Sequence, residues 1–338
     1  MNGGLQPAGP STLSSIIPSP FVLECDVVYR WYNPQVAKKE NVANRQRYRD
    51  NGELRYSLRS FATVEGIRYF HIVSKGPPPL WLNVSHARIF YWNETRLLEE
   101  IRLELRITQP LNVANSEPAK LAIARIPILS KRFIMVDDDI FIMPQHAHAA
   151  FNNVTLATLS TRLFFDNSGL PIQPWPVHGS HRPMPMLRDA YVAATKATPL
   201  DDVAKVLRSG RADGESRFQI DYLERWVHRM SLEGTSRTFS TSGLNIGISG
   251  SWTMERSIKR LTKQADRPSG HYVALQWHWA TSNLKPFDAF LRNVERYRPL
   301  FVVVNDDWPQ QDTAERASKV LRAFLERFYA RPAPWELE

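Results

Sequence analysis

"KRFIMVDDDIFIM", residues 131–143, sets three consecutive aspartates between two apolar runs. Phe133 to Val136 read as a buried strand, and Ile140 to Met143 resume the apolar pattern at once. Ionised carboxylates that close to a core need pairing or ligation, and neighbouring like charges repel. Asp137, Asp138 and Asp139 therefore call for a cation. A hard divalent ion such as Mg²⁺ takes one or two carboxylates and completes its shell with phosphate oxygens and water. A solvated acidic turn is the alternative reading of the same three residues.

Upstream of this stretch, strand patterns alternate with helical ones. "FVLECDVVYRW" (21–31) is rich in β-branched and aromatic residues and stops at Asn33-Pro34. From about Asn51, Leu54, Leu58 and Phe61 fall at helical spacing. "IRYFHIVS" and "ARIFYW" read as two more strands, and "EPAKLAIARIPILS" as a short helix with Pro118 near its start. Strands alternating with helices predict an α/β fold: a Rossmann-like open mixed sheet with flanking helices. In such sheets ligands bind beyond the carboxyl ends of strands. Asn33 and Asp137–Asp139 occupy two such ends.

Downstream, "NSGLPIQPWPVHGSHRPMPMLRD" reads as a long loop entering a helix, and residues 216–230 as a helix. "FVVVNDDW" (301–308) is an apolar strand running into Asn305, Asp306 and Asp307, a second case of carboxylates after a buried strand. Those acids either join the first cluster in one cleft or cap the next turn. In "DTAERASKVLRAFLERFYA", Val320, Leu321, Phe324, Leu325 and Phe328 share one helix face.

The 338 residues suit one large domain or two smaller ones. The expected division is a flexible tail over 1–20 and a single catalytic domain over 21–338 with irregular insertions. Lys and Arg total 43 against 34 Asp and Glu, a formal charge of +9. That balance favours anionic partners, yet no nucleic-acid motif accompanies it. Cys25 is the one cysteine, which excludes an intramolecular disulfide. No run of 18 apolar residues predicts a membrane span. Asn83, Asn93 and Asn153 stand in N-x-S/T sequons, which matter only in a secretory lumen.

Other residues offer chemistry. Arg45, Arg47, Arg49, Arg55 and Arg59 crowd "RQRYRDNGELRYSLRS", and guanidinium forks grip phosphate. A solvated basic helix face is the plainer account of most of them. His178 and His181 lie in a loop before a helix, where an imidazole can serve as general base or sit idle at the surface. Their H-x-x-H spacing lacks the further ligands of a zinc site.

Taken in order, "DVVYRWYNP", "YRDNGELRYSLRS", "IRYFHIVSKGPPPLWLN", "RIPILSKRFIMVDDD", "HRPMPMLRD" and "VVVNDDW…FLERFYARPAPWEL" resemble the four conserved regions of the Stealth family, near 24–34, 45–143, 178–230 and 300–338. That family includes bacterial capsular and exopolysaccharide phosphotransferases and the N-acetylglucosamine-1-phosphotransferase alpha/beta subunit. The resemblance implies transfer of a sugar 1-phosphate, from a hexose or N-acetylhexosamine, out of a UDP-sugar to a hydroxyl of a glycan or glycoprotein acceptor. UMP leaves, and Mg²⁺ or Mn²⁺ assists. By motif it implies Asp138, Asp139 and Asp306 as metal ligands. It implies His181, Asp139, Arg211 (with Arg217 as alternative) and Asp306 as catalytic residues. It implies substrate contacts from Asp26, Asp50, Asn51, Glu53, Arg55, Arg59 and Arg125. The sequence departs from the family pattern at Lys120, where a glutamate is usual before the aspartates. A nucleotide-sugar glycosyltransferase and a non-catalytic glycan-binding relative are the competing readings.

Overall fold

A computed structural model describes residues 23–39, 49–108, 118–143, 183–208, 274–277, 284–297, 301–304 and 310–337. The first strand, β1 (Cys25–Tyr32), leads through helices α1 (Pro34–Lys39) and α2 (Glu53–Ala62) to β2 (Ile67–Lys75). β3 (Ile89–Asn93) follows, then α3 (Glu94–Glu104), α4 (Pro118–Ile123) and β4 (Arg132–Asp137). Next come β5 (Ile140–Ile142), β6 (Met184–Leu187), α5 (Arg188–Ala197) and α6 (Leu200–Arg208). β7 (Ala274–Trp277), α7 (Lys285–Tyr297), β8 (Phe301–Val304) and α8 (Gln311–Phe328) complete the described elements.

The main sheet has the order β3-β2-β1-β4-β6, parallel except for β6. The chain first builds outward from β1 to β2 and β3, then crosses back to place β4 on β1's other side. The order therefore reverses between β1 and β4, the point where open α/β sheets bind ligands. This is the α/β sheet with flanking helices that the alternating pattern predicts.

Side-chain alternation makes β1 and β4 two-faced. Val27, Tyr29, Trp31, Ile134 and Val136 pack with Leu54, Leu58 and Phe61 of α2. Val28, Phe133 and Met135 pack on the other face with Leu97, Leu98 and Ile101 of α3, Leu121 of α4 and Tyr191 of α5.

Two elements depart from the sequence reading. "MPML" lies in a stretch read as loop, but it forms β6, antiparallel to β4 at the sheet edge. Pro185 conceals it, since proline lacks an amide to donate and is tolerated on edge strands. The single open sheet is also incomplete as an expectation: β5, β8 and β7 form a second, three-stranded sheet. Ile140, Ile142, Phe301 and Val303 turn one face of it to the α2 core, while Phe141, Val302 and Val304 pack with Leu321, Phe324 and Leu325 of α8. The aspartates thus stand where the chain leaves one sheet for the other.

Asp26 anchors the opposite end of β1. Its buried carboxylate accepts hydrogen bonds from Arg68 (3.0 and 2.9 Å) and from the Ser130 amide (2.7 Å). His71 Nδ1 accepts from Trp92 Nε1 (3.0 Å), so its other nitrogen, 3.1 Å from Asp26 Oδ2, carries the proton and donates. Burial pushes the Asp26 carboxyl up, but the bonds from His71 and Arg68 outweigh it and hold it below its usual value. Asp26→Ala should lower stability by about 3 kcal/mol in urea unfolding, because it strands buried donors.

Candidate active site

The β1–β4 ladder ends with Arg30 opposite Asp137, and the Arg30 guanidinium donates to the Asp137 carboxylate at 2.5 Å. The first of the three aspartates is therefore engaged by the neighbouring strand. Asp138 and Asp139 form the turn into β5. The Asp139 carbonyl accepts the amide of Val304 (3.0 Å), tying the turn to the last described residue of β8. Burial, then the charges of Asp139, Glu53 and Asp137, hold the Asp138 carboxyl well above its usual range. Asp139 is only 9% exposed.

Helix α2 supplies the wall behind this turn. Eight of its ten residues are buried, so its polar groups need partners inside the protein. Ser57 Oγ donates to the Ile140 carbonyl at 2.5 Å, which leaves Tyr29 to donate its hydroxyl to Ser57 (3.1 Å). Ser60 Oγ accepts the amide of Ile142 (3.0 Å) and donates to the Ser57 carbonyl (2.7 Å). Two serines one turn apart thus lock β5, and with it Asp138 and Asp139, against the helix. Sequence reading passes over these serines, although paired serines on an otherwise buried face are the available signal.

The α2 N-terminus carries the third acid. Gly52 precedes the helix at φ +83°, a conformation suited to glycine. The Glu53 carboxylate accepts from the Asn51 amide (2.8 Å) and from the Asn51 side chain. Burial pushes Glu53 up to about 7, with the Asn51 bonds opposing and Asp50 adding to the rise. The Glu53 charge thus adds to the cost of ionising Asp138, and both carboxyls are shifted toward their protonated forms.

A cleft of about 970 Å³ opens at the end of β1, between the turn after β2 and helix α8. Trp31, Asn33, Trp81, Arg49, Asp50, Lys319 and Arg322 are among its lining residues. Asn33 fixes the rim: its Nδ2 donates to the Pro77 carbonyl (2.7 Å) and its Oδ1 accepts from the Gln35 amide (2.8 Å). Gly76, at φ +94°, passes so close that an added Cβ would meet Val36 at 2.5 Å. Arg322 bonds the Asp50 carbonyl (2.6 Å), so α8 closes the cleft against the start of α2.

The predicted site residues fall into separate groups. Asp138, Asp139, Asn51 and Glu53 come together at the end of β4 and the start of α2, and Asp50 lines the adjoining cleft. Asp26 sits four residues before Arg30, about 13 Å back along the ladder. Arg125 follows α4 on the approach to β4 and pairs with Glu104 at 2.5 Å. Arg55 and Arg59 both bond Glu336, and Arg59 also donates to the Tyr329 carbonyl (2.6 Å). Lys120 is buried in α4, and its carbonyl accepts from Tyr191 at 2.5 Å. His178, His181, Arg211, Arg217, Asp306 and Asp307 lie outside the described residues.

Among the described residues no group of three or more His, Cys, Asp or Glu is arranged to hold a metal ion. Asp138 and Asp139 do fit a divalent cation that takes two carboxylates and fills its other positions with phosphate and water. Burial and the charges of Asp139, Glu53 and Asp137 disfavour an ionised Asp138, a balance that a bound cation would reverse. No described helix is long and apolar enough to cross a membrane.

Residues 47–158 match the family model of Stealth protein CR2, conserved region 2. An exopolysaccharide phosphotransferase of Streptomyces coelicolor is 24% identical over 348 aligned residues, covering 92% of this chain and 52% of that protein. The mouse N-acetylglucosamine-1-phosphotransferase subunits alpha/beta are 30% identical over 105 residues, 31% of this chain and 8% of that protein. A capsular polysaccharide phosphotransferase of Streptococcus thermophilus is 25% identical over 122 residues, 36% of this chain and 48% of that protein. The chain thus spans about half the length, or less, of these relatives. Mouse xyloside xylosyltransferase 1 aligns over 74% of this chain and 96% of its own at 12% identity, with a TM-score of 0.33, too low to bear on fold or function. Conserved region 2 covers α2, the "PPLWLN" turn and the aspartates, so the segment that builds the carboxylate site is the one similar to Stealth proteins.

Proposed function

We propose that this chain transfers a sugar 1-phosphate from a UDP-sugar to a hydroxyl of a glycan acceptor, releasing UMP. The observation that carries the reading is the Asp138–Asp139 turn, half-buried at Asp138 and buried at Asp139, with Glu53 near enough to oppose ionisation of Asp138, at the reversal point of the sheet. The phosphotransferase names of the relatives support the class of reaction.

On this reading Asp138 and Asp139 hold Mg²⁺ or Mn²⁺. When bound, the ion neutralises charge that develops on the phosphate oxygens. The acceptor oxygen attacks the sugar-bound phosphorus, the phosphoanhydride breaks, and UMP departs. We assign His181 as the base that takes the hydroxyl proton, with Arg211 and Asp306 assisting, on their motifs alone. Arg55 and Arg59, held by Glu336, act as framework here rather than as phosphate ligands. Incubation with a panel of nucleotide sugars and Mg²⁺, followed by separation of nucleoside mono- from diphosphates, tests the proposal. Release of UDP in place of UMP would mean glycosyl transfer instead.

A further inference from the structure

The three aspartates do not share one face of the sheet. Val28 and Met135 are partners across the β1–β4 ladder and pack against α3, α4 and α5, while Tyr29 and Val136 pack against α2. Alternation carries the first of these faces on to Arg30 and Asp137, the last pair of the ladder. There the guanidinium donates to the Asp137 carboxylate at 2.5 Å, with the two side chains only 9% and 17% exposed. Asp138 belongs to the other face. Glu53, at the start of α2, and the Tyr29 hydroxyl, which bonds Ser57 of α2, both lie within reach of its charge. Asp139 turns away with the chain, its carbonyl tied to the Val304 amide of β8. Arg30 thus occupies Asp137 where the chain divides the cluster.

We infer that Arg30 is a positioning residue that withholds Asp137 from the cation, so that the protein supplies two carboxylates and the donor's diphosphate supplies the rest of the shell; the inference rests on the metal reading of Asp138 and Asp139 above. Charge gives the reason. Two carboxylates neutralise a divalent ion, and a third would leave a net negative centre that repels a diphosphate. Glu53 already stands close enough to act on Asp138, so an uncompensated Asp137 would deepen the excess. A guanidinium on Asp137 removes that charge at its source. The pair is set by the register of two strands and is nearly covered, unlike a wandering surface ion pair. A site of this kind holds a cation weakly by itself and firmly once phosphate oxygens complete the shell.

Calorimetric titration of the whole chain with Mn²⁺ alone, and separately with preformed Mn²⁺-pyrophosphate, tests this. Arg30→Met frees Asp137 and removes a positive charge. It should bind Mn²⁺ alone about ten-fold more tightly and Mn²⁺-pyrophosphate about three-fold more weakly. Asp137→Asn should give the mirror image, about three-fold weaker for Mn²⁺ and about three-fold tighter for Mn²⁺-pyrophosphate. Arg30→Met combined with Asp137→Asn should return both affinities to within about two-fold of the wild type. A merely structural pair would loosen the turn and weaken both probes together, so the opposed signs are the deciding readout. The inference is overturned if Arg30→Met leaves both affinities unchanged or moves them in one direction. Where Arg30→Met does not fold, as judged by circular dichroism, the near-isosteric Asp137→Asn decides, and loss of Mn²⁺ from it as complete as from Asp139→Asn overturns the inference. A wild type that binds neither probe overturns the metal reading itself, whereas unchanged Arg30→Met beside a wild type that binds both overturns only the role of Arg30.

Discussion

Asp139→Asn is expected to reduce sugar-phosphate transfer by about 10³-fold, the scale lost when one preorganised charge-stabilising group is removed from a reaction centre. Its stability should move the other way. Asp138, Asp139 and Glu53 repel one another in a buried setting, and burial already holds Asp138 well above its usual carboxylate range. Removing one negative charge relieves that cost, so metal-free Asp139→Asn should melt about 2–4 °C above the wild type, the shift that ~1 kcal/mol produces in a chain of this order. Added Mg²⁺ should raise the wild-type melting temperature and leave the variant's unchanged. Loss of turnover with lower stability would mark Asp139 as structural. Thermal melts with and without Mg²⁺, run beside an activity assay, separate the two. The backbone tie from Asp139 to Val304 survives the substitution, so the turn keeps its shape.

The second large effect is far from the carboxylates. Glu336 is 2% exposed and accepts from Arg55, from two nitrogens of Arg59, and from the Ala333 amide (3.0 Å). Arg59 is itself 8% exposed, so Glu336→Ala leaves a buried guanidinium without its carboxylate. Breaking one partner of such a pair costs about 3–5 kcal/mol, and urea unfolding should show it. Replacing both Arg59 and Glu336 with apolar residues should recover a good part of the loss, because the stranded charge is gone. Glu336 also gives the effect a pH signature. Burial pushes its carboxyl up, but the Arg59 bonds, the Ala333 amide and Arg55 hold it below its ordinary value of 4.5. Its contribution is therefore complete above about 4.5 and fades as pH falls through the lowered value. Glu336→Ala should flatten that acid limb.

What the sequence showed and hid follows from range. Local signals were legible: the β-branched and aromatic run that forms β1, the helical spacing of Leu54, Leu58 and Phe61, and the apolar flanks that set Asp137–Asp139 at a strand end. The partners of those residues were not, because they come from distant segments. Arg55 and Arg59 read as phosphate ligands, while the carboxylate that both of them bond lies some 280 residues away. Ser57 and Ser60 offered only the faint signal of paired serines on a buried face, since a serine within a helix looks ordinary until its hydroxyl is seen bonding another strand. By spacing alone Asp137 looked equal to its two neighbours; the family motif set it apart, and the strand pairing that brings Arg30 to it gives a physical difference.

The central claim concerns which bond breaks, and identification of the nucleotide product tests it most directly. The wild-type chain is incubated with UDP-sugars, an oligosaccharide acceptor and Mg²⁺, and the nucleotides are separated by anion exchange. The account predicts UMP in step with sugar phosphate on the acceptor, and none with Asp139→Asn. UDP as the product, or UMP release that Asp139→Asn leaves intact, would contradict it.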